Sequence, residues 1–234
     1  MPINQVVILA GGLGTRLKPI TQVMPKPMVE VGGSPFLEVL VERLKRRGFD
    51  DFIMLVGHLG DQIIRHFADG SEFGVKIRYS VEKELLGTGG ALKQAEPLLA
   101  ERFMVVYGDS YLPLDYSEPM LAFESSGKAG LITVYSNHPR IARNNVEVGG
   151  DGIVKLYEKS AETQAMNGVE AGVFFLERQT LNCLEPGKFS LEQALFPKLI
   201  KRGELMGFMT SVRFWDIGTP DGLEAARRTL HDLD

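Results

Sequence analysis

The sequence predicts an α/β fold, a mostly parallel sheet flanked by helices with a small antiparallel hairpin lobe, built by residues 1–234 as a single domain. Apolar runs of strand length alternate with helical patterns as far as Tyr135, the rhythm that yields parallel strands covered on both faces. The first apolar run opens directly into a glycine-rich loop. Beyond Arg143 the rhythm gives way to a hairpin with a glycine turn.

Val6-Val7-Ile8-Leu9-Ala10 has the length and β-branched content of a buried strand. Ser34-Pro35 reads as a helix opening, with Leu37, Leu40, Val41 and Leu44 on one face and Gly48 at its end. Residues 52–56 form a second strand, a short helix surrounds Ile63, Ile64 and Phe67, and residues 76–81 form a third strand. A helix from about Thr88 to Ala100 leads to a fourth strand at 103–107, and after another short helix 131–135 is the fifth. Residues 145–148 and 153–157 read as hairpin arms around Gly149-Gly150-Asp151-Gly152. A further strand covers 169–176, and Val212-Arg213-Phe214-Trp215 reads as a strand ending at Asp216. Ser190 with Gln193 makes a capping box for a helix through Ile200, and Thr219-Pro220 starts a last helix with Leu223, Ala226 and Leu230 inward.

The 234 residues are 44% hydrophobic and 24% charged, with a formal charge of −4, the composition of an ordinary globular chain. Mild acidity argues against a nucleic-acid partner, which needs a basic face. The one cysteine, Cys183, cannot form an internal disulfide and fits a reducing compartment. No stretch has the length of a membrane span or the form of a leader, so the expected location is cytoplasmic.

Between Gly11 and Val29 the chain carries three cations, Arg16, Lys18 and Lys26, and no acid. Gly11, Gly12 and Gly14 allow a sharp turn that presents bare N–H groups, a geometry that favours bound phosphate. It is neither of the two commonest glycine loops. A dinucleotide fingerprint needs glycine where Leu17 stands, and a Walker loop needs Gly-Lys-Ser/Thr where Thr15-Arg16-Leu17 stands. Lys26, between Pro25 and Pro27, is expected on a stiff, extended backbone. Asp109 follows the fourth strand and Asp216 the run 212–215, at the strand ends where open parallel sheets collect ligands. Two carboxylates facing a phosphate loop suit Mg²⁺. His58, His66, His138 and His231 read as structural or surface residues.

Gly11-Gly12-Leu13-Gly14-Thr15-Arg16, Pro25-Lys26-Pro27, Pro35-Phe36-Leu37-Glu38, Leu86-Gly87-Thr88-Gly89-Gly90-Ala91, Gly108-Asp109, Glu158-Lys159 and Trp215-Asp216-Ile217-Gly218-Thr219-Pro220 together resemble the sugar-1-phosphate nucleotidylyltransferases. The chain is most similar to the short guanylyltransferases acting on D-glycero-D-manno-heptose 1-phosphate, with mannose-1-phosphate enzymes nearby. The resemblance implies a Rossmann-like sheet of the nucleotide-diphospho-sugar transferase type. It also implies a reaction, nucleoside triphosphate plus sugar 1-phosphate giving nucleotide-sugar and pyrophosphate, which would feed surface polysaccharide biosynthesis.

By that resemblance Leu9, Ala10, Gly11, Gly12, Gly14, Thr15, Arg16, Glu82, Gly87, Thr88 and Gly108 bind the nucleotide. Arg16 and the backbone of residues 11–15 hold the triphosphate, and Lys26 polarises the phosphates around the reacting centre. Asp109 and Asp216 carry Mg²⁺, Lys159 grips the sugar phosphate, and Glu158 accepts from its hydroxyls. Relatives specific for uracil or thymine tend to carry glutamine near position 82. A carboxylate there accepts from the paired N1–H and N2–H₂ of guanine and would face repelling carbonyls on uracil, so GTP is the expected donor; Glu84 competes for the role. Val169-Glu170-Ala171-Gly172 departs from the small polar residue usual in relatives, and a carboxylate at Glu170, beside Gly172, suits free hydroxyls better than an N-acetyl group. Arg143-Asn144-Asn145 lacks the usual Tyr-Gly. Other readings stay open: a uridylyl- or cytidylyltransferase, a metal-dependent glycosyltransferase (although Asp109-Ser110-Tyr111 lacks its Asp-X-Asp), and a nucleotide-sensing subunit. The sugar, and assembly into a homo-oligomer, are also open.

Overall fold

This computed structural model describes residues 3–229, so Leu230 and His231 lie outside the described residues. β1 (Gln5–Leu9) runs into the glycine loop, which is compacted by short 3-10 turns at Thr15–Leu17, Ile20–Gln22 and Lys26–Met28. β2 (Glu30–Val31) and β3 (Ser34–Pro35) pair antiparallel ahead of α1 (Phe36–Arg46). Ser34-Pro35 is therefore a strand rather than a helix opening: Phe36 N–H bonds Val29 C=O at 3.0 Å, holding the segment extended until the helix begins. The four apolar residues expected on one face of α1 are all buried.

β4 (Asp51–Val56), α2 (Gly60–Phe67) and β5 (Lys76–Val81) follow as expected. α3 (Gly87–Gln94) ends six residues short of Ala100, because Pro97 cannot donate to a continuing helix and a 3-10 turn at Glu96–Leu98 takes over. Next come β6 (Arg102–Tyr107), β7 (Ser110–Tyr111), α4 (Ser117–Ser126) and β8 (Gly130–Tyr135). β9 (Val146–Val148) and β10 (Val154–Tyr157) form the expected hairpin, followed by β11 (Val169–Glu177). The expected helix from Ser190 to Ile200 divides into α5 (Leu191–Ala194) and α6 (Phe196–Lys201), with Pro197 in the first turn of the second. Ser190 caps α5, its hydroxyl accepting Gln193 N–H at 3.3 Å. β12 (Leu205–Thr210), β13 (Trp215–Asp216) and α7 (Pro220–Thr229) are the last elements of the described residues.

Among the described residues, seven strands form one sheet in the order β12-β8-β11-β6-β1-β4-β5. All neighbours are parallel except around β11, which is antiparallel to both β6 and β8. Alternate side chains feed two apolar layers: Val6, Ile8 and Met54 pack under α1 and α2, whereas Val7, Ile53 and Leu55 pack under α3, α5 and α6. The reversal of β11 has a functional consequence. Its beginning, Glu170 to Gly172, comes to the same edge at which β1, β4, β5 and β6 end. The hairpin lobe leans on β12, where Gly207 N–H bonds Gly152 C=O at 2.9 Å. Among the described residues no helix is long and apolar enough to cross a membrane.

Candidate active site

The carboxyl edge of the sheet opens into a cavity of about 480 Å³. The glycine loop forms one wall and is held in place by its neighbours. Ala10 N–H donates to Leu55 C=O at 2.8 Å, His58 N–H to Gly11 C=O at 3.3 Å, and the Thr21 hydroxyl to Gly14 C=O at 2.8 Å. At Gly11 the space a Cβ would take is occupied by Glu82 Oε1, so a side chain there would displace that carboxylate. That contact brings the end of β5 against the end of β1. Glu82 Oε2 accepts Leu86 N–H at 2.8 Å, and burial raises its carboxyl above the usual range.

Of the residues expected at the nucleotide, Leu9, Ala10, Gly11, Gly12, Gly14, Thr15, Glu82, Gly87 and Thr88 line this cavity, with Lys26 and Asp109 at its foot. Gly108 lies beneath the lining, its N–H on Leu9 C=O at 2.9 Å. Arg16 is exposed and stands by Gly218 and Asp216 rather than in the cavity wall. Glu84 is exposed, away from the lining, so Glu82 is the carboxylate that faces the space.

Lys26 is not extended. It begins the 3-10 turn, with Met28 N–H on Pro25 C=O at 2.8 Å and Val29 N–H on Lys26 C=O at 3.1 Å, and these two bonds outweigh the bias that Pro27 imposes on the residue before it. The ammonium pairs with Asp109 Oδ2. Asp216 reaches the same place by an unexpected route. Residues 212–214 form no strand; the last strand of the main sheet is β12, and Asp216 sits on β13, whose pairing sets Asp216 opposite Ser110. Ile217 N–H donates to Asp109 C=O at 2.9 Å and Gly218 N–H to Asp216 Oδ1 at 2.5 Å. Burial raises the Asp216 carboxyl and the charge of Asp109 adds to this, opposed by the Gly218 N–H, Lys26 and Arg16.

A second polar cluster adjoins the cavity beyond Tyr107. Lys159 Nζ donates to Glu192 Oε1 at 2.9 Å, lies 3.8 Å from Glu170 Oε2, and sits over the rings of Tyr107 and Tyr157. Glu170 is buried; its Oε1 accepts Gly172 N–H, its own N–H donates to Asn145 Oδ1 at 2.9 Å, and burial raises its carboxyl despite Lys159. Glu158 does not join this cluster: it is exposed, and its Oε1 closes its own turn by accepting Ser160 N–H and hydroxyl, both at 2.8 Å. Asn144 and Asn145 serve structure, Asn144 donating to Met166 C=O at 3.0 Å. His58 contacts Thr21 C=O and His66 pairs with Glu38, in keeping with structural roles, while His138 is exposed.

Glu192 and Tyr107 are the residues that sequence reasoning did not single out. Burial opposes ionisation of Glu192, but Lys159 and the Tyr107 hydroxyl hold its carboxyl at about 2. Tyr107 closes an apolar strand as a core aromatic would. Glu192 stands two residues after a helix cap, where an acid is commonplace.

A glycine loop and two carboxylates at the carboxyl edge of a parallel sheet are what a phosphorylated ligand meets in α/β folds of the nucleotide-handling class. The profile described as nucleotidyl transferase matches residues 5–232, and the chain belongs to that family. It is 34% identical over 219 residues to D-glycero-alpha-D-manno-heptose 1-phosphate guanylyltransferase of Campylobacter jejuni, covering 93% of this chain and 96% of that protein. It is 33% identical over 246 aligned residues to UTP--glucose-1-phosphate uridylyltransferase of a Synechocystis species, covering 97% of this chain but spanning 63% of the relative's length. Among solved structures, HddC from Yersinia pseudotuberculosis complexed with GMP-PN matches with a TM-score of 0.82 at 32% identity, over 97% of this chain and 100% of that one.

Proposed function

We propose that this nucleotidyltransferase joins a nucleoside triphosphate, GTP in preference, to a manno-configured hexose or heptose 1-phosphate, with residues 1–234 acting as one catalytic unit. The observation that carries the reading is the convergence of Lys26, Asp109 and Asp216 at the foot of a glycine-walled cavity, with Lys159 just beyond Tyr107.

A phosphate oxygen of the sugar attacks the α-phosphorus, the bond from that phosphorus to the bridging oxygen of the β-phosphate breaks, and pyrophosphate departs with the electron pair. The nucleophile arrives ionised, so no base is needed. The barrier is the approach of two polyanions, and lowering it is a matter of position and opposing charge. The loop N–H groups hold the triphosphate, Arg16 adds positive charge from beside Asp216, Lys26 faces the charge that develops at the reacting centre, and Lys159 takes the sugar phosphate.

Asp109 and Asp216 fit a magnesium ion. They are two carboxylates close enough to perturb one another, the number Mg²⁺ combines with phosphate oxygens and water. They would hold it, and when bound it supplies charge neutralisation at the phosphates. Glu82 supports guanine, since its carboxylate faces the cavity. Its Oε2 also serves Leu86 N–H, but each oxygen has two lone pairs. The one cysteine suits a cytoplasmic setting.

Pyrophosphate release measured with GTP, UTP, CTP and ATP against mannose, heptose and glucose 1-phosphates, with Mg²⁺, tests the reading. Fastest turnover with GTP and a manno-configured sugar is expected. Equal use of UTP would remove the role given to Glu82, and no release with any pair would remove the function.

A further inference from the structure

Glu192 stands in the first turn of α5 with its side chain 11% exposed. Its Oε1 accepts the Tyr107 hydroxyl at 2.5 Å and the Lys159 ammonium at 2.9 Å, and its Oε2 accepts the Thr88 hydroxyl at 3.0 Å. The three donors belong to three separate elements: the start of α3, the end of β6, and the segment after the hairpin lobe. Thr88 and Tyr107 line the nucleotide cavity, and Lys159 stands on the Glu170 side.

The ground under Glu192 is fixed. Gly89 and Gly90 N–H groups donate to Phe189 C=O at 3.0 and 3.2 Å, Phe189 N–H to Leu86 C=O at 2.9 Å, and Leu191 N–H to the Thr88 hydroxyl at 2.9 Å. Residues 86–90 and 189–192 are therefore bonded to one another. Lys159, by contrast, has a flexible four-carbon stem and is half exposed. Its distance of 3.8 Å from Glu170 is an ion pair without a hydrogen bond. Among the described residues Glu192 alone gives the ammonium a hydrogen-bonded position, and it uses one of three N–H donors, leaving the others for an incoming anion.

We infer that Glu192 is the positioning residue that sets the Lys159 ammonium for the sugar phosphate and, through Thr88, ties that placement to the helix lining the nucleotide cavity. The assignment rests on the nucleotidyl-transfer reading above. A carboxylate beside a phosphate site is otherwise repulsive, so it must act through the lysine. The rival is a buried polar group that merely fills its space, in which case an amide of the same shape would serve equally well.

Initial rates for wild type, Glu192→Gln, Lys159→Ala and the double variant, with GTP and the sugar 1-phosphate the wild type uses best, separate the two. Glu192→Gln should raise the KM for the sugar 1-phosphate at least about tenfold, as loss of a charge-assisted hydrogen bond does, while the KM for GTP stays within about twofold. Adding Glu192→Gln to Lys159→Ala should change the sugar KM no further, because the two act as a unit. A wild-type sugar KM in Glu192→Gln, or additive effects in the double variant, overturns the inference while leaving the function intact. An inactive wild type overturns both.

Discussion

Lys26 and Asp109, 83 residues apart in sequence, pair at the foot of the cavity, linking the proline-flanked turn to the end of β6. Both side chains are largely enclosed, 14% and 18% exposed. The pair holds a cation and a carboxylate together at one point.

Removing either partner leaves the other charge short of compensation. Lys26→Ala and Asp109→Ala should each remain folded yet lose on the order of 100-fold or more in kcat, the scale of losing one preorganised group at a charge-developing centre. Each should also melt lower than wild type, and the double variant should recover part of that loss, because it leaves no unpaired partner. Rates and melting curves of the three variants check this; near-normal kcat in either single variant contradicts the role.

Asp216 offers a test through pH. Burial, then Asp109, raises its carboxyl in the folded state. A raised acid contributes stability that is complete below its unfolded value, about 3.9, and that is lost as pH rises through the folded value. At about pH 7 the charged Asp216 is therefore a cost to the fold, relieved by Asp216→Asn, whose Oδ1 can still accept Gly218 N–H. The variant should melt higher than wild type near pH 7, with the gain shrinking toward about pH 3, and should lose turnover. An unchanged or lower melting temperature at neutral pH would contradict the cause assigned to the shift.

Base choice is the property most directly tied to one side chain. Glu82→Gln keeps an oxygen for Leu86 N–H, so the fold should hold. It replaces one acceptor with a donor, suiting a carbonyl-bearing pyrimidine edge. The ratio of kcat/KM for GTP over UTP should fall by about tenfold or more, as expected for losing a paired contact worth roughly 1–3 kcal/mol. A constant ratio would show that the base is read elsewhere.

Most of the sheet was legible because β1, β4, β6, β8 and β11 are almost wholly buried and announce themselves as apolar runs. β12 did not: Leu205-Met206-Gly207-Phe208-Met209-Thr210 has no Val or Ile and a central glycine, which the hairpin lobe requires, since a Cβ there would lie 2.6 Å from Val148. The glycine loop, Lys26, Asp109 and Asp216 were legible as motifs, although Asp216 arrives by a two-residue ladder rather than a strand end. Glu192 was not, because its partners Lys159, Tyr107 and Thr88 are 33, 85 and 104 residues away. Local pattern carries no trace of such a convergence; it exists only once β11 has reversed and α5 has docked on α3.

Gly172 concentrates the requirements of the proposed sugar side in one residue. Its φ of 83° lies in the left-handed region, where an L side chain costs roughly 1–2 kcal/mol. A Cβ there would stand 3.2 Å from Ser110 Cβ, tight enough to push on it, and 3.4 Å from the Tyr107 ring, an ordinary contact. Its N–H also donates to the buried Glu170 Oε1, fixing the carboxylate beside Lys159. Gly172→Ala should therefore lower the melting temperature by about 2–8 °C, the range for this cost in a chain of this size. It should also raise the KM for the sugar 1-phosphate while leaving that for GTP near wild type, because Glu82 and the glycine loop are built on other strands. Steady-state kinetics with both substrates varied, alongside a thermal melt, reads both effects. A variant that melts lower with both KM values unchanged would confine Gly172 to the fold and separate Glu170 from the sugar.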